Sequence, residues 1–157
     1  MGAYFKYLVD EADSDNKNAN KDYNGSAAEF TFTATENTKL ERMIVYVEDA
    51  GGFDAGAYGN SVVLTNGISV EVVTHDGTQH IDLTDGLPIK TNAHWSRLCY
   101  DVNYIDYGTG NNAIAVRWTF AKSGAPLYLP IGYKLVVNVS DTLTGLVDHT
   151  FMVQGVS

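Results

Sequence analysis

Residues 40–49 read Leu-Glu-Arg-Met-Ile-Val-Tyr-Val-Glu-Asp (LERMIVYVED), and their alternation decides the fold class. In an extended strand successive side chains point to opposite faces. Met43, Val45 and Val47 therefore share one face, and Ile44, Tyr46 and Glu48 the other. β-branched and aromatic residues fill the run, and no apolar stripe at 3.6-residue spacing competes with the period of two. The same pattern recurs on either side. Residues 28–35 (AEFTFTAT) place Phe30 and Phe32 on one face. Residues 68–74 (ISVEVVT), 95–104, 113–120 (AIAVRWTF), 133–139 (YKLVVNV) and 149–153 (HTFMV) follow. Further strands are expected at 4–9, 61–64 and 127–130. Between them stand Gly51-Gly52, Asn66-Gly67, Asp76-Gly77, Asp85-Gly86, Asn111-Asn112 and Ser123-Gly124, residue types that supply the positive φ of tight turns.

Short strands at this density predict an all-β chain forming one antiparallel β-sandwich over residues 1–157. The strand count and uneven connections favour a jelly-roll-like order; a β-barrel or an immunoglobulin-like sandwich are the alternatives. Residues 10–25 (DEADSDNKNANKDYNG) are polar and nearly free of apolar side chains. They predict a peripheral loop, dispensable for folding because it has nothing to bury.

Composition narrows the function. With 157 residues, 45% of them hydrophobic, the chain is long and apolar enough for a core of its own. The net charge of −9, with no Lys/Arg cluster, argues against nucleic acid as a partner. No apolar run approaches the roughly 20 residues of a membrane-spanning helix, so no membrane partner is expected. Residues 1–5 (MGAYF) lack the basic and apolar regions of a signal peptide, and Lys6 stands where myristoylation wants Ser or Thr. Synthesis in a cytoplasm, without standard export, is the expectation. The single cysteine, Cys99, reads as a small apolar core residue.

Each chemical constellation has a bland competitor. Asp13, Asp15, Asn18 and Asp22 are hard oxygen ligands in one run, but a helix–loop–helix calcium loop starting at Asp13 would need Gly at 18 and Glu at 24, where Asn stands. A solvated loop is preferred. His75 and His80 flank the Asp76-Gly77 turn and with Asp82 suggest a weak metal set. His94 and His149 add no close spacing, so no metal or cofactor is expected. Glycosidase chemistry needs two carboxylates about 5–10 Å apart; Glu41, Glu48, Glu71, Asp82, Asp85 and Asp101 include no evident pair. There is no Gly-x-Ser-x-Gly elbow and no phosphate loop. Arg42 and Arg117 sit inside apolar strands and are read as structural ion-pair partners of Glu41, Glu48 or Asp101. Trp95 and Trp118 read as core anchors. Phe53, Tyr58, Tyr104 and Tyr107, on or near loops, are the candidate interface anchors, with tucking into the core as the competing reading.

Five strings, LERMIVYVEDAG (40–51), YGNSVVLTNGISV (58–70), DLTDGLPIKTNAHW (82–95), RWTFAKSG (117–124) and LTGLVDHTFMVQG (143–155), resemble structural proteins of tailed bacteriophages of the marine and metagenomic type. The first 35 residues carry no part of the resemblance. It implies a non-enzymatic virion component, a small sandwich decorating or cementing the capsid or sitting at a vertex. Its partners would be the major capsid protein, other virion proteins and further copies of itself. A carbohydrate- or receptor-binding module using loop aromatics is the second expectation, and a glycosidase-like enzyme the third.

Overall fold

The computed structural model describes residues 4–9, 20–94, 101–106, 111–119 and 125–157, with the backbone alone for 4–9, 101–106 and 111–118. The strands are β1 (Tyr4–Val9), β2 (Ala28–Thr33), β3 (Thr38–Ala50), β4 (Ile68–Val73), β5 (His80–Asp82), β6 (Asp101–Asp106), β7 (Asn111–Thr119), β8 (Leu127–Leu129), β9 (Lys134–Val139) and β10 (Leu146–Val156). Among the described residues the one helical element is a 3₁₀ turn at Asn92–His94.

Two antiparallel sheets result. The larger runs β1-β10-β3-β7-β6, with β8 paired to the start of β3; the smaller runs β2-β9-β4-β5. The pairings are nested: β1 with β10, β2 with β9, β3 with β7, β4 with β5. A long ribbon of paired strands, folded so that alternate pairs fall in opposite sheets, is a jelly roll. β6 extends one edge, and β8 fills the space beside residues 38–40, beyond the end of β7.

The alternation read from residues 40–49 is the alternation of burial. Met43, Val45 and Val47 are buried, while Ile44, Tyr46 and Glu48 are half-buried. From β10 the inward set is His149, Phe151 and Val153, and from β2 it is Phe30 and Phe32. Phe30 and Phe151 stack across the sandwich at 5.2 Å between ring centroids. β3 and β10 make the most extensive pair, with a bulge at each end of their ladder. At the second bulge Gly155 is required, because a Cβ there would run into the Lys39 carbonyl. The bulges add twist and let β3 reach β8.

Several boundaries differ from the sequence reading. Of the strand expected at 95–104, residues 101–104 fall in β6, which runs on to Asp106, and residues 95–100 lie outside the described residues. Residues 61–64 form no strand; Val62 makes an isolated bridge to Tyr58. β5 was not foreseen, being three residues long and exposed throughout.

The polar stretch 10–25 is corrected in its second half. Asn20 and Tyr23 donate their amides to the carbonyls of Leu143 and Asp141, and Leu143 returns a bond to Lys21. Tyr23 packs against the core, edge-on to Phe30 at 6.5 Å. One aromatic and a set of backbone bonds suffice to dock residues 20–23, so this part is not a free loop. Asp13, Asp15 and Asn18 lie outside the described residues.

Candidate functional site

Several of the aspartates with described side chains are engaged in building turns and loops. Asp141 is buried, and its carboxylate accepts the backbone N–H groups of Thr65, Asn66 and Gly67 at 2.6–3.0 Å. Three consecutive amides closing on one carboxylate clamp the loop before β4 onto the β9–β10 connection. Asp49, also buried, accepts from Ala50 and Asn60. Asp82 takes the hydroxyl and amide of Thr84 and the amide of Gly86, and the Thr84 hydroxyl above all holds its carboxyl below the usual carboxylate range. Asp85 is in that turn with φ of +53°.

Glu71 lies opposite Asp82 in the β4–β5 register, where it contacts His80 at 3.0 Å and accepts from Asn138. His75, His80 and Asp82 therefore do not converge as a ligand set. Among the described residues no group of three or more His, Cys, Asp or Glu side chains is placed to hold a metal.

Arg42 stands 3.7 Å from Glu41, its neighbour at the bulge, with both side chains about a third exposed. A partner adjacent in sequence cannot fix register between strands, and an exposed pair of this kind contributes about 0–1 kcal/mol. Arg117 is placed by its backbone: Asp101 of β6 lies directly across on one side and Ile44 of β3 on the other. Glu48 is half-buried on β3.

The expected interface anchors separate. Tyr58 is fully buried, so it is corrected from interface to core. Its hydroxyl meets His149 Nε2 at 2.6 Å. Phe53 is half-buried and packs on the core. Tyr104 is a backbone position on β6 opposite Ile114. Tyr107, Trp95 and Cys99 lie outside the described residues, as does the side chain of Trp118. Among the described residues the exposed large apolar side chains are instead Val63, Ile81, Leu87, Tyr128, Ile131 and Val147.

His149, weighed as a metal ligand from sequence, is inside the sandwich. Tyr58, His149, Phe151 and Phe30 form a continuous aromatic row. Burial pushes the imidazole down to about 3, so it is neutral at ordinary pH. Its Nδ1 is buried with no hydrogen-bond partner among the described residues.

The feature that sequence reasoning missed lies at one end of the smaller sheet. The β4–β5 turn and the residue preceding β9 enclose a cleft of about 310 Å³ lined by Thr74, His75, Asp76, Thr78, Gln79 and Tyr133. Asp76 Oδ1 accepts from the hydroxyls of Thr74 and Thr78 and from the amide of Thr78. These bonds, Thr74 first, lower its carboxyl to about 2. The Thr74 hydroxyl also accepts the Gln79 amide, closing the turn. The His75 ring covers Gly132, where a Cβ would collide with it. The signal in the sequence was the Thr-His-Asp-Gly-Thr-Gln run (74–79), a turn in which every residue but glycine carries a polar group.

No protein-family model matches the chain, and no curated protein matches it. Among solved structures, a CocE/NonD family hydrolase from Staphylococcus aureus matches over the whole of this chain and 31% of its own length, at 8% identity and a TM-score of 0.35. So slight a likeness carries no argument about activity.

Proposed function

We propose that this chain is a non-enzymatic structural component of a tailed-bacteriophage virion, carried in many copies and bound to the capsid shell. The observation that carries the reading is the jelly-roll strand order, an architecture that viral capsid domains use. The fold alone does not select a function, since lectins and cupins use it too. The resemblance of five strings to phage structural proteins is the support for choosing among them. The strings at 40–51 and 143–155 contain most of β3 and β10, the most extensive strand pair. The resemblance thus falls on the centre of the larger sheet.

The surface suits assembly. β5 is a sheet edge paired on one side by β4, and Ile81 on it and Leu87 just beyond are each 52% exposed. Tyr128 and Ile131 expose a second apolar pair near the start of β9. Apolar side chains of this size at an edge supply the buried centre of a contact between copies or with a shell protein. The net charge of −9 keeps free subunits apart until a partner or salt screens it.

The test is quantitative mass spectrometry of virus particles purified from the host that makes this chain. The chain is expected in a fixed molar ratio to the major shell protein, at tens to hundreds of copies per particle. Its absence from particles would overturn the reading, as would a hydrolase activity abolished by a single carboxylate substitution.

A further inference from the structure

We propose that the cleft formed by residues 74–79 and Tyr133 binds a neutral or amino-bearing saccharide unit. The inference stands on the cleft and does not depend on the virion reading.

Four side chains there have polar atoms that no described residue occupies. Asp76 spends Oδ1 on three donors, and no other described residue donates to its Oδ2. The His75 ring, the Gln79 carboxamide and the Tyr133 hydroxyl likewise make no hydrogen bond to a described residue, while the Gln79 backbone is held by Thr74. Asp76 is thus fixed by the turn, while His75, Gln79 and Tyr133 line the same cleft with their polar atoms unspent. A fixed carboxylate oxygen, an amide offering donor and acceptor, an imidazole and a phenol suit the vicinal hydroxyls of a sugar, each of which donates and accepts. Tyr133, half-buried and packed on the core, adds an aromatic ring for the C–H face of a pyranose.

Charge and size narrow the class. Asp76 keeps its charge to about pH 2, and among the described residues no Lys or Arg lines the cleft. Sialylated, sulfated and phosphorylated ligands are disfavoured, while a neutral sugar or one with an ammonium group is accepted. A volume of about 310 Å³ is at the lower end of ligand pockets, which run to roughly 1,000 Å³. It suits one residue of a chain whose remainder stays in solvent.

The experiment is an NMR titration of the full-length, isotope-labelled chain with glucose, galactose, mannose, N-acetylglucosamine and glucosamine, beside a glycan array carrying neutral, amino and sialylated glycans. At least one neutral or amino sugar is expected to shift the amide signals of residues 74–79 and 132–133. Gln79→Ala and Asp76→Asn are expected to weaken it at least tenfold. Gln79→Ala removes no intramolecular side-chain bond, so its melting temperature should match the parent's and a loss of binding is not a loss of fold. Absence of binding to every sugar and array glycan overturns the proposal. So does binding whose shifts lie away from the cleft, binding that both variants leave unchanged, or a preference for sialylated glycans.

Discussion

His149 shows how one side chain can set the acid tolerance of the domain. It sits in phase with Phe151 and Val153 on β10 and is wholly buried. Its folded pKa, about 3, lies below the ordinary 6.5, so the unfolded chain takes up the proton first as the pH falls. The stability carried by the neutral ring is complete above about pH 6.5 and drains away from there toward pH 3. The slope reaches at most about 1.4 kcal/mol per pH unit. Urea unfolding between pH 7 and pH 5, ahead of most carboxylate titration, should show this slope, and His149→Phe should flatten it. An unchanged slope in the variant would assign the acid sensitivity elsewhere. Tyr58→Phe leaves the buried Nε2 without its partner and should cost roughly 1–3 kcal/mol at neutral pH. Asp141→Ala should cost more, roughly 3 kcal/mol or above, because three backbone amides lose a charged acceptor together; a melting temperature within a degree or two of the parent's would show that water replaces the carboxylate. The inward phase of His149 was legible in His-Thr-Phe-Met-Val (149–153) once the strand was recognised. The partner was not, because Tyr58 is 91 positions away on a glycine-rich loop.

At the level of elements, register turns isolated residues into pairs. The β6–β7 ladder sets Asp101 across from Arg117, and opposite charges facing each other across strands contribute about 0.2–1 kcal/mol. A double-mutant cycle with Asp101→Asn and Arg117→Met should return a coupling in that range, and strict additivity would dissolve the pair. The strand pattern was readable wherever apolar residues alternate over five or more positions, as in β2, β3, β4, β7 and β9. It failed where burial is not periodic. β5 is exposed on every residue and is held by its ladder to β4, with the Asp82–Thr84 turn following it. Residues 61–64 look like a strand but lie between Gly59 and Gly67, both at positive φ, and their apolar residues serve a loop. The docking of Tyr23 was hidden in a run dominated by Asp, Asn and Lys, where one aromatic weighs little against its neighbours. The cleft at 74–79 was hidden differently. Its turn was evident from Asp76-Gly77, but the wall that makes a turn into a cleft comes from Tyr133, which only the β4–β9 pairing brings near.

For the whole molecule, the jelly roll brings the first and last strands together at one edge of the larger sheet and leaves β5 and β6 as the far edges. β1 is thereby fastened to β10 over six residue pairs, which ties down a strand at the start of the chain. The short, exposed β5 edge and the apolar side chains near it give the particle-binding reading its physical content. A domain assembling in many copies needs a contact that repeats, and stable contacts generally bury about 1,200–2,000 Å² in all. The proposed assembly puts that area at the exposed apolar side chains and not at the buried Tyr58. Single-particle electron cryomicroscopy of the purified virion tests this most directly. Symmetry-related density on the capsid into which both sheets fit is expected, with Ile81 and Leu87 or Tyr128 and Ile131 at a contact. A particle map fully explained by other chains, with no jelly-roll density left for this one, would contradict it.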